Sequence, residues 1–241
     1  MHEKSSQNKS QPANAPSLPA RALLRIVQGT ARLPWPFFAG MAHLIRWVVF
    51  GLGRYRKVVV RQNLSRSFPE LDSARIRRIQ QTFERHFAEL LAETLKGFAI
   101  TAAALRRRLR VEGMEHVQAH LKEGRSVLVM AGHYGNWEWL GHALAIEAAP
   151  WPAWAVYKPL SNKAVDWLMQ RVRSHLGLQL CPQPLVPRML RELKRRPGVA
   201  YFIADQTPLD LDHAHWLYFL GQDTPFFHGV DKIARATGFP V

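Results

Sequence analysis

Two short runs of apolar residues limit the fold of this chain most strongly. Residues 126–131 read SVLVMA and residues 199–204 read VAYFIA. Both runs are short, and glycines bound the first, as expected for strands buried on both faces. Helices are predicted from Ser73 to about Gly97 and at 101–110, 115–122, 136–149, 163–176, 188–195 and 230–237, with a further strand at 154–157. This alternation predicts an α/β fold with a mixed, mainly parallel sheet flanked by helices.

The most apolar stretch, residues 33–53, lies ahead of that alternation. The part from Phe37 to Gly53 is at the short limit for a helix that crosses a bilayer. Arg46 lies in its middle, where an arginine costs about 2.5–3.5 kcal/mol on insertion scales. The segment therefore either spans with Arg46 snorkelling or lies in the interface with Trp35 and Trp47 at headgroup depth. A buried core helix is the third interpretation.

The charge of the chain narrows the class of partner. A net charge of +15 fits nucleic acid, an anionic bilayer surface or an acidic or phosphorylated substrate. No nucleic-acid-binding motif is recognisable, whereas the basic residues 54–57 directly follow the apolar segment, as juxtamembrane clusters do. The single Cys181 excludes a disulfide framework and a cysteine zinc cluster, and it indicates a reducing compartment.

The strongest chemical motif is the junction after the first apolar run, VLVMAGHYGNWEW at residues 127–139. A strand runs into Gly132 and His133, Gly135 permits a tight turn, and Asn136 is a suitable N-cap for the next helix. Positions five apart on one helix point about 140° apart. If His133 lies in the turn and Glu138 in the first helical turn, however, the carboxylate reaches the imidazole. The pattern predicts a general base oriented by Glu138.

No nucleophilic cysteine and no G-x-S-x-G elbow accompanies this motif. We therefore expect a substrate hydroxyl to attack directly, without a covalent enzyme intermediate. A loop at residues 210–215 mixes aspartates and histidines, but it lacks an H-E-x-x-H or cysteine pattern, so we interpret it as solvated. We expect no metal and no cofactor.

Residues 132–138, GHYGNWE, resemble the H-x4-D/E block of the glycerolipid acyltransferase superfamily, in the form typical of the lipid A lauroyl and myristoyl transferases. Further blocks agree in order over about residues 30–241. They lie at residues 62–64 and 67–70, 156–160, 171 with 177, 189–194, 204–206, 219–221 and 224–226.

The resemblance implies transfer of a fatty acyl chain from a thioester, acyl carrier protein or acyl-CoA, to a hydroxyl of a lipid A precursor. This acceptor is a phosphorylated glycolipid. The reaction is expected at the cytoplasmic side of the inner membrane, on an anionic surface and without nucleic acid. The resemblance also implies His133 as the base and Glu138 as its partner.

The matched blocks also suggest substrate-binding residues. These are Gly135, Asn136, Tyr157, Lys158, Arg171, Asp205 and Gln206. Lys158 stands where the family usually has arginine, which keeps the charge but loses the bidentate fork. Asp205 and Gln206 follow a predicted strand, where α/β sheets carry functional residues. An ordinary turn after a strand is the alternative interpretation of this pair.

The predicted organisation is a disordered polar leader at 1–20, a membrane-associated helical segment at 21–62 and an acyltransferase domain at 63–241. In the family, the block that ends at Val241 leads into another strand. We therefore expect the domain to lack its C-terminal part and the chain to be a poor enzyme by itself. Two other functions stay open: a lysophospholipid or other lipid O-acyltransferase with the same residue pair, and a non-catalytic basic protein that binds anionic lipid.

Overall fold

The computed structural model describes residues 18–208, 210–212 and 214–241. Most of the predicted leader lies outside these residues, and the chain is already helical from Leu18. The helices are α1 Leu18–Ala31, α2 Trp35–Arg46, α3 Lys57–Ser67, α4 Ser73–Lys96, α5 Ala102–Arg106, α6 Met114–Lys122, α7 Trp137–Glu147, α8 Lys163–Arg173, α9 Val186–Arg195 and α10 Gly229–Thr237. The strands are β1 Val127–Ala131, β2 Ala153–Tyr157, β3 Gln179–Pro182, β4 Val199–Ile203, β5 His215–Phe219 and β6 Gln222–Phe226.

Four strands form one parallel sheet in the order β1-β4-β2-β3. The prediction of an α/β fold with a mainly parallel sheet is confirmed. The sequence analysis missed β3, whose four residues include a proline. It also missed the separate antiparallel hairpin of β5 and β6. The chain after α10 runs beside β1, where the Leu128 N–H donates to the Pro240 carbonyl at 2.8 Å.

The side chains of the central strands alternate between two buried layers, as the pleat requires. Val127, Val199 and Tyr201 pack with residues of α6 and α7. Leu128 and Ala200 belong to the opposite layer, with residues of α9 and α10. A sheet covered by helices on both faces explains why both runs are apolar throughout.

The apolar segment is helical but not uniform. After α2 the helix continues as a π-helical stretch, Trp47–Leu52, in which the Gly53 N–H donates to the carbonyl of Val48. The stretch Trp35–Leu52 is long and apolar enough to cross a membrane by length and composition. Only 17% of it is buried, which argues against the interpretation as a core helix of a soluble protein.

The long helix α4 packs along the apolar segment. Phe38 and Ala42 lie against Ala92, and Phe50 contacts the rings of Phe83 and Phe87. The predicted apolar stripe of α4 is thus covered by α2 and the π-helical stretch, although part of it stays exposed.

One predicted helix is shorter than expected. The helix expected at 101–110 covers only Ala102–Arg106, and the guanidinium of Arg108 beyond it stacks 3.5 Å from the ring centre of Trp35. The division expected between residues 62 and 63 falls inside α3, and the division itself stays a prediction.

Ser126, the residue before β1, offers a test of the hydrogen bonds at the start of the central strands. This buried hydroxyl donates to the Leu193 carbonyl at 2.7 Å and accepts from the Gly198 N–H at 3.1 Å, joining β1 to the α9–β4 turn. Ser126→Ala leaves both backbone groups without this partner, so we expect a loss of about 1–3 kcal/mol in the free energy of unfolding. Ser174→Ala, which removes an exposed hydroxyl bonded to the Gln170 carbonyl, should change it by less than about 0.5 kcal/mol. Chemical unfolding of both variants makes the comparison, and equal losses would contradict it.

Candidate functional site

The site begins where β1 and β4 end side by side. Ala131 pairs with Ile203, so His133 and Asp205 each lie two residues beyond a paired position. The Ala204 N–H donates to the Ala131 carbonyl at 3.0 Å, which extends the pairing by one step. Nδ1 of His133 lies 2.6 Å from Oδ1 of Asp205, and the His133 backbone N–H donates to Oδ2 at 2.5 Å. One carboxylate thus holds both the ring and the main chain of this histidine.

Gly132 is required by that close contact. A Cβ at this position would stand 2.8 Å from Oδ2 of Asp205 and 3.2 Å from its Cγ, closer than side chains tolerate. Gly135 has a φ of +61°, which supports the predicted tight turn. Asn136 caps α7 by accepting from the Trp139 N–H at 3.0 Å, while its amide donates to Glu93 at 2.7 Å. The two predicted site residues Gly135 and Asn136 therefore shape the turn.

Glu138 does not contact the imidazole as the sequence analysis expected. Its carboxylate accepts hydrogen bonds from Arg173 of α8, at 2.9 Å from Nε to Oε2 and 2.6 Å from Nη2 to Oε1. Its side chain is 11% exposed and that of Arg173 is 23% exposed. Because α7 begins at Trp137, Glu138 lies in its first turn and points towards α8, whereas Asp205 already occupies the Nδ1 side of His133. In this structure the Nδ1 side of His133 therefore faces Asp205, and the expected hydrogen bond between Glu138 and the imidazole is not formed.

Burial and the negative charge of Glu138 shift the pKa values of three neighbouring side chains. Burial alone would lower the pKa of Arg173, but the hydrogen bonds and charge of Glu138 outweigh it and raise that pKa above the usual value. Burial, with the charges of Glu138 and Asp205, raises the pKa of Tyr201. Burial and the nearby His175 lower the pKa of His142 to about 4, against the opposing effect of Glu138. His142 and Tyr201 are therefore neutral at neutral pH.

A cavity of about 610 Å³ opens beside these groups at the carboxyl ends of the strands. His133 and Glu138 line it, together with three of the predicted substrate-binding residues, Tyr157, Lys158 and Gln206. Its wall also includes Trp137, Arg173, His228 and Lys232, which the sequence analysis did not select. Strand ends near a break in strand order are where open α/β sheets bind ligands.

The other predicted residues stand elsewhere. Arg171 is not part of the cavity wall, because its guanidinium stacks over Trp167 at 5.1 Å and is exposed. Arg173, two residues later on the same helix, faces the cavity instead, and no pattern in the sequence distinguished the two arginines. Asp205 lies behind the imidazole.

Among the described residues no group of three potential metal ligands occurs, and His213 of the 210–215 loop is outside them.

The geometry assigns different tasks to the two nitrogens of His133. With a proton on Nδ1 donated to Asp205, Nε2 is the acceptor. Nε2 lies 3.3 Å from the side-chain amide of Gln206, a long contact that a bound hydroxyl can replace. A histidine held by a carboxylate at one nitrogen, with the other beside a cavity, is arranged as a general base.

Comparison with known proteins gives a consistent result. A family model described as "Bacterial lipid A biosynthesis acyltransferase" matches residues 20–241. A lipid A biosynthesis palmitoleoyltransferase of Escherichia coli (strain K12) is 23% identical over 176 residues, which cover 73% of this chain and 56% of that protein. A lipid A biosynthesis lauroyltransferase of the same strain is 23% identical over 171 residues, covering 70% and 55%. The chain spans about half the length of the curated relatives it matches.

The pair of Glu138 and Arg173 provides a test of the site's electrostatics. Arg173→Leu leaves a largely buried carboxylate without its partner and should cost about 2–3 kcal/mol in the free energy of unfolding. This is less than the ~3–5 kcal/mol of a fully buried pair, because the guanidinium is partly solvated. Arg171→Leu on the same helix should cost less than about 1 kcal/mol. Adding Glu138→Gln to Arg173→Leu should recover part of the loss. Denaturant unfolding measures all three, and an Arg171→Leu loss as large as that of Arg173→Leu would contradict the assignment.

Proposed function

Because the chain belongs to the bacterial lipid A biosynthesis acyltransferase family, we propose that it transfers a fatty acyl chain from a thioester donor to a hydroxyl of a lipid A precursor. His133 is the general base of this reaction. The observation that carries the proposal is the 2.6 Å contact between His133 and Asp205 at the edge of the cavity. The names of the matched relatives favour a lipid A precursor over a lysophospholipid as acceptor.

The reaction needs no covalent enzyme intermediate. The acceptor hydroxyl binds against Nε2 of His133 and loses its proton to that nitrogen as its oxygen attacks the thioester carbonyl. The tetrahedral intermediate collapses by breaking the carbon–sulfur bond, and the imidazolium returns the proton to the leaving thiolate. Asp205 stabilises the imidazolium and keeps the neutral ring in the reactive tautomer.

Arg173 is suited to an anionic group in the cavity. Its Nε and Nη2 edge is turned to Glu138, so Nη1 is the nitrogen left for a ligand. Because this guanidinium is already held in place, it needs little rearrangement before it stabilises charge on the carbonyl oxygen or binds a phosphate. Lys158 and Lys232 add positive charge to the same wall. Glu138 thus acts as a positioning residue for Arg173.

We propose that the protein works at the membrane through the segment Trp35–Leu52, which lies in the plane of the interface. Both α2 and the π-helical stretch run along α4, which carries charged residues through this contact. Arg85, Glu89 and Glu93 line a groove between α2 and α4 together with Arg46. A spanning α2 would carry these charges into hydrocarbon, at a cost of several kcal/mol. An in-plane orientation keeps them at the headgroups, and it also accommodates Arg46.

The roles of His133 and Asp205 predict how much acyl transfer each substitution removes. His133→Ala should lower kcat by about 10²–10⁴-fold, the usual contribution of a positioned base. Asp205→Asn should cause most of that loss by itself, and the double variant should be little worse than His133→Ala, since the two residues act as a unit. The measurement is acyl transfer to a lipid A precursor from acyl carrier protein thioester, with lipid products identified by mass spectrometry.

Asp212→Asn is the matched control for this experiment. Asp212 is an exposed carboxylate in the loop that follows β4, so its amide should leave turnover unchanged. Turnover like the wild type in a folded His133→Ala variant would contradict the proposed chemistry. A large loss in Glu138→Gln with full activity in Asp205→Asn would instead return the orienting role to Glu138.

The in-plane orientation predicts that both ends of the apolar segment face the same side of the membrane. In a Cys181→Ala background, cysteines introduced singly at Leu33 and Tyr55 are exposed and bracket the segment. A membrane-impermeant maleimide should label both in inverted membrane vesicles and neither in intact spheroplasts. Labelling of one position from each side would establish a span and contradict the in-plane orientation.

A further inference from the structure

The hairpin of β5 and β6 exposes an unusual amount of apolar surface. Every residue of β5 is exposed, and its aromatic side chains include Tyr218 at 77% and Trp216 at 51%. Leu217, Phe219 and the turn residue Leu220 are each exposed by about half. None of these five residues belongs to the buried layers of the sheet.

The apolar residues point to both faces of the hairpin. In a two-stranded ribbon, successive side chains alternate, so Trp216 and Tyr218 point to one face and Leu217 and Phe219 to the other. A protein partner that packs on one face leaves the other in water. A lipid layer surrounds an inserted ribbon from both faces, which favours a bilayer as the surface that covers it. Tryptophan and tyrosine are also the residues enriched at the membrane interface.

The hairpin has a polar edge that faces the protein. Gln222, Asp223 and Thr224 lie on β6, opposite the apolar β5. The side chain of Gln222 lies 3.5 Å from Arg66 at the end of α3, and Gly221 abuts the backbone carbonyl of Arg66 so closely that no Cβ fits. The tip of the hairpin is therefore fixed against α3 by its β6 side, and the β5 edge is left outward.

Helix α3 connects the tip of the hairpin to the other candidate membrane contacts. Helix α3 directly follows the apolar segment and exposes Val58 and Val59, beside the basic residues of the turn 54–57. Through α3 the hairpin is thus linked to the apolar segment, because its tip contacts the end of the helix that follows this segment. At its other end β6 leads into Phe227 and His228, which line the catalytic cavity.

We propose that the hairpin His215–Phe226 is a second membrane-contacting element, which inserts its β5 edge into an anionic bilayer and brings the cavity to the lipid surface. This inference rests on the proposed membrane association, and it adds a function for the hairpin in delivering a lipid acceptor. Together with the apolar segment it fixes the molecule at two places, so the orientation of the cavity towards the bilayer is determined.

The test measures direct contact with acyl chains. In the Cys181→Ala background, single cysteines at Tyr218, at Trp47 of the apolar segment and at Glu115 of α6 each carry an environment-sensitive fluorophore. The full chain is reconstituted into vesicles of phosphatidylcholine and phosphatidylglycerol, with and without phosphatidylcholine spin-labelled on its acyl chain. We expect the spin label to quench the fluorophores at positions 218 and 47 and to leave the one at 115 unchanged.

The outcomes separate this inference from the proposal on which it rests. Quenching at 47 without quenching at 218 overturns the hairpin insertion and leaves membrane association through the helix intact. A fluorophore at 218 that is shielded from water but not quenched by lipid means that protein covers the hairpin, which also overturns the inference. Absence of quenching at both positions overturns the membrane association as well.

A second pair of variants measures the contribution of the hairpin to binding. The double substitution Leu217→Ser and Leu220→Ser should weaken partition into the same vesicles on the order of tenfold, because it removes two leucine side chains from lipid. Leu185→Ser, which alters an equally exposed leucine before α9, should leave partition unchanged. Equal partition of the double variant and the wild type would overturn the inference.

Discussion

The parallel pairing of β1 with β4 is the constraint on which the site depends. It aligns Ala131 with Ile203, so two chain segments that are 72 residues apart end at the same point of the sheet. A slip of one residue would turn the alternating side chains of one strand to the wrong face and move Asp205 away from His133. The apolar layers on both faces of the sheet therefore fix the register, and the register fixes the contact between imidazole and carboxylate. Gly132 allows that contact, since any side chain there would strike the carboxylate.

Two carboxylates next to one cavity take different roles because their surroundings differ. Asp205 holds the imidazole of His133, whereas Glu138 is largely buried and neutralised by Arg173. An uncompensated carboxylate at the position of Glu138 would be costly, so the arginine stabilises the site as well as adding a donor to its wall. The wall of the cavity consequently presents an imidazole and fixed positive charge. This arrangement suits a reaction in which a proton leaves a hydroxyl while negative charge develops on a carbonyl oxygen.

The sequence was most informative where a local pattern is sufficient. The apolar runs predicted β1 and β4, and the glycines around His133 predicted the strand, turn and helix that carry it. Strand order was not predictable, because β4 enters the sheet between β1 and β2 after two intervening strands in the sequence. For that reason Asp205 was recognised only as a residue at a strand end, and Glu138 was taken as the histidine's partner from its spacing. Arg173 and the hairpin were missed because tertiary contacts, and not a local pattern, distinguish them from Arg171 and from an ordinary loop.

The most direct test of this account is the hydrogen bond at Nδ1 of His133, observed by NMR of the ¹⁵N-labelled imidazole in detergent micelles. The account predicts a proton on Nδ1 held by Asp205, with a downfield Nδ1 proton resonance that is lost in Asp205→Asn and kept in Glu138→Gln. Assignment through His133→Gln identifies the signal. A resonance that persists in Asp205→Asn but disappears in Glu138→Gln would mean that Glu138 holds the ring, and it would contradict the arrangement described for this site.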